Sequence, residues 1–334
     1  MKRAKKAVAR DYLNQHHKRN SRQSTFSEAS RDFEKHAIAA WGKRPIASIT
    51  RRDVIALIDR IVRRGAEVQA NRTLARLRAF FNWCVGKDIL AASPAATLKL
   101  PTQEKPRDRV LSDDELRWFL SACDEIGWPF GPYAKLLLLT AQRRDEVARM
   151  ELVELDLAAR IWTIPGARAK NERLHEVQLA PEAVELLRSL PRVGARLIFT
   201  TDGDKPIAGF SNAKRRLDAA MLKARRTSQG LPVENDAYRK SMRLAPVKPL
   251  PVEIPHWTFH DLRRTAATGM ARLNSPPHVV DKILNHASGT IRGVAAVYNR
   301  FEYRDERRAA LEAWARFVAD LMTPAAANVV PLRA

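Results

Sequence analysis

Residues 91–109 read AASPAATLKLPTQEKPRDR, with three prolines and little periodicity. Proline lacks the amide proton a helix needs, and its ring clashes with the preceding turn, so the chain here runs extended. The stretch divides the sequence into two bodies that must each build a core, and we place the linker at 101–110.

The part in front of it is patterned for helices. Thr50 and Asp53 have capping-box spacing, and Val54, Ile55, Leu57, Ile58, Ile61 and Val62 recur at helical intervals over 50–64, with Gly65 as the stop. A second helix is expected over about 68–85, with Leu74, Leu77, Phe80, Phe81 and Cys84 on one face and Arg72, Arg76 and Arg78 on another. A further helix is expected over 25–40, and residues 1–24 read as a basic tail. Residues 25–100 thus form a small all-helical domain with arginine-rich outer faces.

Beyond the linker the pattern is mixed. Ser112 and Glu115 form a second capping box, and Leu111 and Leu116 are placed as a hydrophobic staple. A helix is expected over 131–150. Short strands follow at Arg160–Ile164 and Leu174–Leu179, on either side of the polar turn PGARAKNER, with a helix after Pro181 and another strand in RLIFTT. Further helices are expected near 211–224, 258–273, 276–286 and 304–321. Residues 228–256 hold five prolines and read as a disordered surface insertion. The fold class is mainly α with a small β-sheet (α+β): a helical domain, then a mixed α/β domain over 111–325 and a tail over 326–334.

Charge narrows the function. The chain has 59 Lys and Arg against 37 Asp and Glu, a net charge of +22. Residues 1–100 carry 22 basic and 8 acidic side chains, so much of the excess lies in the helical domain. A chain this cationic suits a polyanion, and nucleic acid is the usual one. Two cysteines, Cys84 and Cys123, exclude a disulfide framework and a cysteine-rich zinc module, as a reducing cytoplasm would suit. No apolar run is long enough for a membrane span, and MKRAKKAVARDY has no apolar core of a secretory signal.

Familiar catalytic motifs are missing from the sequence. It has no GxxxxGK[ST], GxGxxG or GxSxG. His256 and His260 stand four apart in HWTFH, but Trp257 replaces the glutamate of a zinc protease, and Pro255 puts His256 at or before a helix start. No metal site is expected. What remains is a dispersed set of cations and one tyrosine: Arg143 and Glu146 in TAQRRDEVARM, His260 and Arg263 in HDLRR, His286 in ILNH and Tyr298 in AAVYNR.

These residues, with Lys170 in PGARAKNER, resemble the tyrosine recombinases, specifically phage-type integrases. The order Arg, Lys, His-x-x-Arg, His, Tyr is that family's signature, and RTAATGMARL, KILNHASGTIRGVAAVYNR and LEAWARF extend the resemblance over the second domain. It implies that Arg143 and Arg263 bind the scissile phosphate, that Lys170 is the lysine of the strand turn, that His260 and His286 are the two histidines, that Tyr298 is the nucleophile and that Glu146 supports. Ala141 departs from the family, which commonly has glycine before the arginine.

The chemistry suits the residue types. Guanidinium groups are planar, permanently charged and able to donate two bonds at once to a phosphate. A phenol with an ordinary pKa of ~10 needs a proton acceptor and a cationic setting to attack near neutrality. Lysine can return a proton to the leaving 5′-oxygen. The phosphotyrosyl bond conserves the energy of the broken linkage, so no cofactor is expected.

Residue by residue, other readings stay open. Arg143 with Glu146 is also an ordinary helical ion pair, His260 with Arg263 a solvated face, His286 a helix cap, Tyr298 a core residue and Lys170 a solvated turn lysine. The resemblance also implies that the first domain is a core-type DNA-binding domain, in which Arg60, Arg63, Arg64, Arg72, Arg76 and Arg78 meet phosphates. It implies double-stranded DNA at attachment sites as partner, a homotetramer on two duplexes, and an excision factor or DNA-bending protein as accessory, in a nucleoid-associated cytoplasmic enzyme. An arm-binding activity is not expected. The resemblance implies that the C-terminal helix, with Leu311, Trp314, Phe317 and Leu321 at helical spacing, packs between protomers. Rival readings are a type IB topoisomerase and a non-catalytic DNA-binding protein that keeps the fold.

Overall fold

The computed structural model describes residues 5–21, 23–104, 106–169, 171–231, 254–286 and 301–323. Lys170, Tyr298, the 326–334 tail and most of the 228–256 insertion lie outside the described residues. The chain packs as two units, Met1–Arg107 and Asp108–Ala334, each around its own hydrophobic core.

The first unit is helical: α1 (residues 5–20), α2 (23–41), α3 (Arg51–Val62) and α4 (Glu67–Val85). Helix α3 begins where its capping box sets it. The Asp53 carboxylate accepts from the Thr50 amide at 2.8 Å, and the Thr50 hydroxyl accepts from the Asp53 amide at 3.3 Å. Arg44 adds two bonds to the same carboxylate, at 2.7 and 3.1 Å, and with them holds its pKa well below the carboxylate range. Val54, Leu57, Ile58 and Ile61 face the core.

The expectation of a basic tail over 1–24 is corrected. Val8, Ala9, Tyr12 and Leu13 are buried, and the Tyr12 ring packs against Phe33, Phe80 and Trp83. Their spacing is helical, but the stripe is only two turns long and sits among basic residues that dominate the reading of the sequence.

The second unit holds α5 (Asp113–Ile126), α6 (Phe130–Thr140), α7 (Arg144–Ala148), β1 (Leu155–Asp156), β2 (Ile161–Ile164), β3 (His175–Gln178), α8 (Pro181–Ser189), α9 (Phe210–Ser228), α10 (Phe259–Arg272), α11 (Pro277–Ile283) and α12 (Arg304–Asp320). The Ser112–Glu115 capping box opens α5, with Leu111 and Leu116 buried beside it. The three strands form an antiparallel sheet in the order β1-β2-β3, with Trp162 opposite Val177 and Ile164 opposite His175. Among the described residues the fold is thus mainly helical with one small sheet.

Three expectations change here. The helix expected over 131–150 is two, α6 and α7, because Ala141 turns to φ +54° and closes α6 with a bond from its amide to the Leu137 carbonyl. RLIFTT forms no strand; Leu197 makes only an isolated bridge to Glu151, closed by the Leu152 amide on the Arg196 carbonyl at 2.8 Å and the Ile198 amide on the Met150 carbonyl at 2.9 Å. Helix α12 packs on its own unit: Leu311 and Trp314 are each 1% exposed, and the Trp314 indole donates to the Leu138 carbonyl at 2.9 Å. Gly269 on α10 makes room for that indole, whose ring a methyl group there would overlap. Those two side chains thus pack within their own unit, where the resemblance implied packing between protomers.

Among the described residues no helix is long and apolar enough to cross a membrane.

Candidate active site

The break at Ala141 makes the first half of the site. It leaves Arg143 in an extended conformation at the start of α7, where its amide donates to Glu146 Oε2 at 3.1 Å and its Nη1 to Glu146 Oε1 at 3.0 Å. Glu146 is 4% exposed, so the carboxylate fixes the arginine from below rather than serving as a surface partner.

The second half comes from α10. Thr258 and Asp261 form a capping box that the sequence reading overlooked, with the Thr258 amide donating to Asp261 Oδ2 at 2.7 Å. The helix thereby starts at Phe259 and carries Arg263 inward, to 4% exposure, while His260 stays at the surface. A shared solvated face for these two residues is thus excluded. Arg263 donates from Nη1 to the Ala141 carbonyl at 2.6 Å and from Nη2 to the Leu284 carbonyl. Arg143 reaches the same stretch, with Nη2 at 3.4 Å from the Leu284 oxygen and 3.2 Å from the Asn285 oxygen.

Both guanidinium groups therefore meet at the end of α11. The last carbonyls of a helix lack partners within it and carry the negative end of its dipole, so they suit cations. The neighbouring carbonyl, that of Ile283, accepts from Gln142 Nε2 at 2.9 Å and faces His175 Nε2 at 3.1 Å. Burial first, and the charge of Arg143 second, push the Arg263 pKa down to about 9. Two cations share this spot, and such a concentration of buried positive charge favours an anion.

The histidines flank it. Although its side chain opens to the surface, His260 is held below its ordinary pKa, by partial desolvation first and then by Arg264 and Arg263, so it is mostly neutral near pH 7 and able to accept a proton. His286 lies three residues past α11, half exposed, with Nδ1 at 3.1 Å from Asp281 Oδ1 and its amide on the Asp281 carbonyl at 3.1 Å. Of the seven residues expected at the site, the structure brings Arg143, Glu146 and Arg263 into one hydrogen-bonded group and places His260 in their field. Lys170 and Tyr298 lie outside the described residues.

Four residues here were not foreseen: Gln142, Asn171, His175 and Asn285. Burial, then the charges of Arg307, Arg263 and Arg143, depress the His175 pKa to about 4. Of the four, only Asn285 carries a local signal, as an asparagine just past a helix end, where a left-handed residue is favoured.

In the helical unit, Arg60, Arg63, Arg64 and Arg72 are exposed. Arg76 differs from expectation. It pairs with Glu28 and with the buried Asp32, each at 3.3 Å, because Asp32 needs a cation on its open side. Arg78 is partly buried and donates to the Ala95 carbonyl at 3.4 Å. These two arginines brace the unit rather than forming an outer face.

Comparisons with known proteins follow the same division. A family model described as "Phage integrase family" matches residues 109–303, and one described as "Phage integrase central domain" matches residues 6–100. Prophage integrase IntZ of Escherichia coli K12 is 28% identical over 292 residues, covering 85% of this chain and 63% of the relative. The integrase of Shigella phage Sf6 is 24% identical over 294 residues, 86% of this chain and 69% of the relative. In fold, a lambda integrase tetramer bound to a Holliday junction aligns with TM-score 0.64 at 17% identity, over 87% of this chain and 80% of that one. The Tn1549 transposon integrase in complex with a circular intermediate DNA gives 0.62 at 18% identity, over 92% and 99%.

Proposed function

The chain belongs to the phage integrase family, and from that membership we propose that it is a tyrosine-type site-specific DNA recombinase, integrating or excising a phage or genomic island. The observation that carries the proposal is the convergence of Arg143 and Arg263 on the Leu284 carbonyl. A phosphodiester presents two non-bridging oxygens and a full negative charge, so it competes well for donors that now rest on carbonyl dipoles. In-line attack raises the charge on those oxygens, and donors already fixed by Glu146 and the end of α11 favour that state over the ground state.

In this mechanism the Tyr298 oxygen bonds to phosphorus as the bond from phosphorus to the 5′-oxygen breaks. The phenolic proton passes to neutral His260, and the Lys170 ammonium returns one to the leaving oxygen, giving a free 5′-hydroxyl and a 3′-phosphotyrosyl bond. His286 contacts the phosphate beside the arginines. The 5′-hydroxyl of a partner duplex then attacks the phosphotyrosine and restores the tyrosine, one strand at a time.

That exchange needs four protomers on two double-stranded DNA sites. An excision factor or DNA-bending protein can set direction, and the setting is the nucleoid of the cytoplasm. Exposed Arg60, Arg63, Arg64 and Arg72 would add phosphate contacts from the helical domain, which give affinity with little sequence information. The chain spans 63% of the length of prophage integrase IntZ.

The test is capture of covalently held DNA from cells that contain the native element, beside the Tyr298→Phe variant. Wild type should retain DNA after denaturation, with ends at one or a few defined sequences, and the variant should retain none. Ends scattered over the genome would favour a topoisomerase. Folded wild type that binds DNA but never retains it would overturn the enzyme reading in favour of a binding protein.

A further inference from the structure

We propose that Asn171 and Asn285 are a positioning pair that holds the turn carrying Lys170 against the end of α11; the inference rests on the recombinase reading above. The two side chains bond reciprocally. Asn171 Nδ2 donates to Asn285 Oδ1 at 2.6 Å, and Asn285 Nδ2 donates to Asn171 Oδ1 at 3.2 Å. They lie 114 residues apart in sequence, so nothing local brings them together.

The backbone of Asn285 does a second task. Its φ is +48°, a left-handed conformation that asparagine tolerates better than most residues. In that conformation its carbonyl accepts from Arg143 Nη2 at 3.2 Å and from Asn171 Nδ2 at 3.4 Å. One residue thus joins the phosphate-binding arginine to the turn between β2 and β3.

That turn is anchored on both sides of position 170. Before it, Arg168 donates to Glu154 Oε1 at 2.8 Å and to the Glu146 carbonyl at 3.2 Å, tying the turn to the helix that follows Arg143. After it, Asn171 ties the turn to α11. Lysine has a long side chain with many rotamers, and a proton donor acts only within hydrogen-bond reach of its acceptor. Restraining the peptide on each side of Lys170 narrows the search for the leaving oxygen and raises the fraction of productive encounters.

The chemistry supplies a test that a purely structural role would fail. With an ordinary phosphodiester, the bond from phosphorus to the 5′-oxygen breaks and the strongly basic alkoxide needs the lysine proton. If sulfur replaces that bridging oxygen, the 5′-thiolate leaves unprotonated, because a thiol has an ordinary pKa of ~8.5. A defect in placing the proton donor is therefore rescued by sulfur, and a defect in phosphate binding is not.

The experiment uses nicked duplexes that carry the cleavage sequence recovered by covalent capture, made with a 5′-bridging oxygen or a 5′-bridging sulfur. Wild type, Lys170→Ala, Asn171→Ala, Asn285→Gly and the double asparagine variant are compared at saturating DNA, with half-saturation measured separately. Glycine at 285 keeps the left-handed conformation open, so that variant stands even if Asn171→Ala loses the fold.

Each asparagine variant should cleave the oxygen substrate on the order of tenfold slower or more, with unchanged half-saturation, and the double variant no slower than either single one. Cleavage of the sulfur substrate should return to near the wild-type rate, as for Lys170→Ala. Equal slowing on both substrates, or no slowing on either, overturns the positioning role. If wild type yields no covalently captured DNA, and hence no cleavage sequence from which to build the substrates, the recombinase reading falls, and this inference with it.

Discussion

Arg263 carries its charge where water scarcely reaches, and two backbone carbonyls, of Ala141 and Leu284, stand in for solvent. A guanidinium can reach both because its donors are arranged as a rigid fork. A lysine ammonium is a point charge and leaves one carbonyl without its donor. Arg263→Lys should therefore lower stability by about 1–3 kcal/mol in urea unfolding. It should also slow covalent capture on the order of 10²-fold. Family order singles out the histidine and arginine positions, even though each is weak alone. His175 and Gln142 are not legible in the sequence, since both face the Ile283 carbonyl, to which neither is near in sequence.

The start and end of each helix decide where the site sits. The caps at Thr50 and Ser112 were readable because a capping box is a local pattern of two residues. The break between α6 and α7 was not, because LLLLTAQRRDEVARM has no glycine or proline to interrupt its helical period. Ala141 nonetheless sits at φ +54°, which costs an L-residue and costs glycine little. Ala141→Gly should stabilise the chain by about 0.5–1 kcal/mol, a small rise in the urea midpoint, with covalent capture intact. A fall in stability would mean that the left-handed turn is not what fixes Arg143. Strand β1, two residues long, was missed for the opposite reason: a run that short has no period to read.

At the scale of the molecule, the second unit folds its cationic site around a neutral histidine. Unfolded, His175 takes up a proton near its ordinary pKa of 6.5; folded, it resists one down to about 4. The unfolded state thus binds more protons between those values, so His175 contributes its full stability above about pH 6.5 and loses it as pH falls towards 4. The loss is on the order of 3 kcal/mol. Urea midpoints should drop between pH 7 and pH 4.5, and the drop should shrink in His175→Gln. The first unit shows how net charge misleads: its amino-terminal helix looks like a tail because basic residues surround the few buried ones that seat it. Recombination by this chain would turn on one bond between protein and DNA. Digesting the captured complex with protease and nuclease and sequencing the modified peptide by mass spectrometry tests it most directly. A nucleotide on Tyr298, through a 3′-phosphate, is the expected result. A nucleotide on any other residue, or none in protein that still cuts DNA, would contradict it.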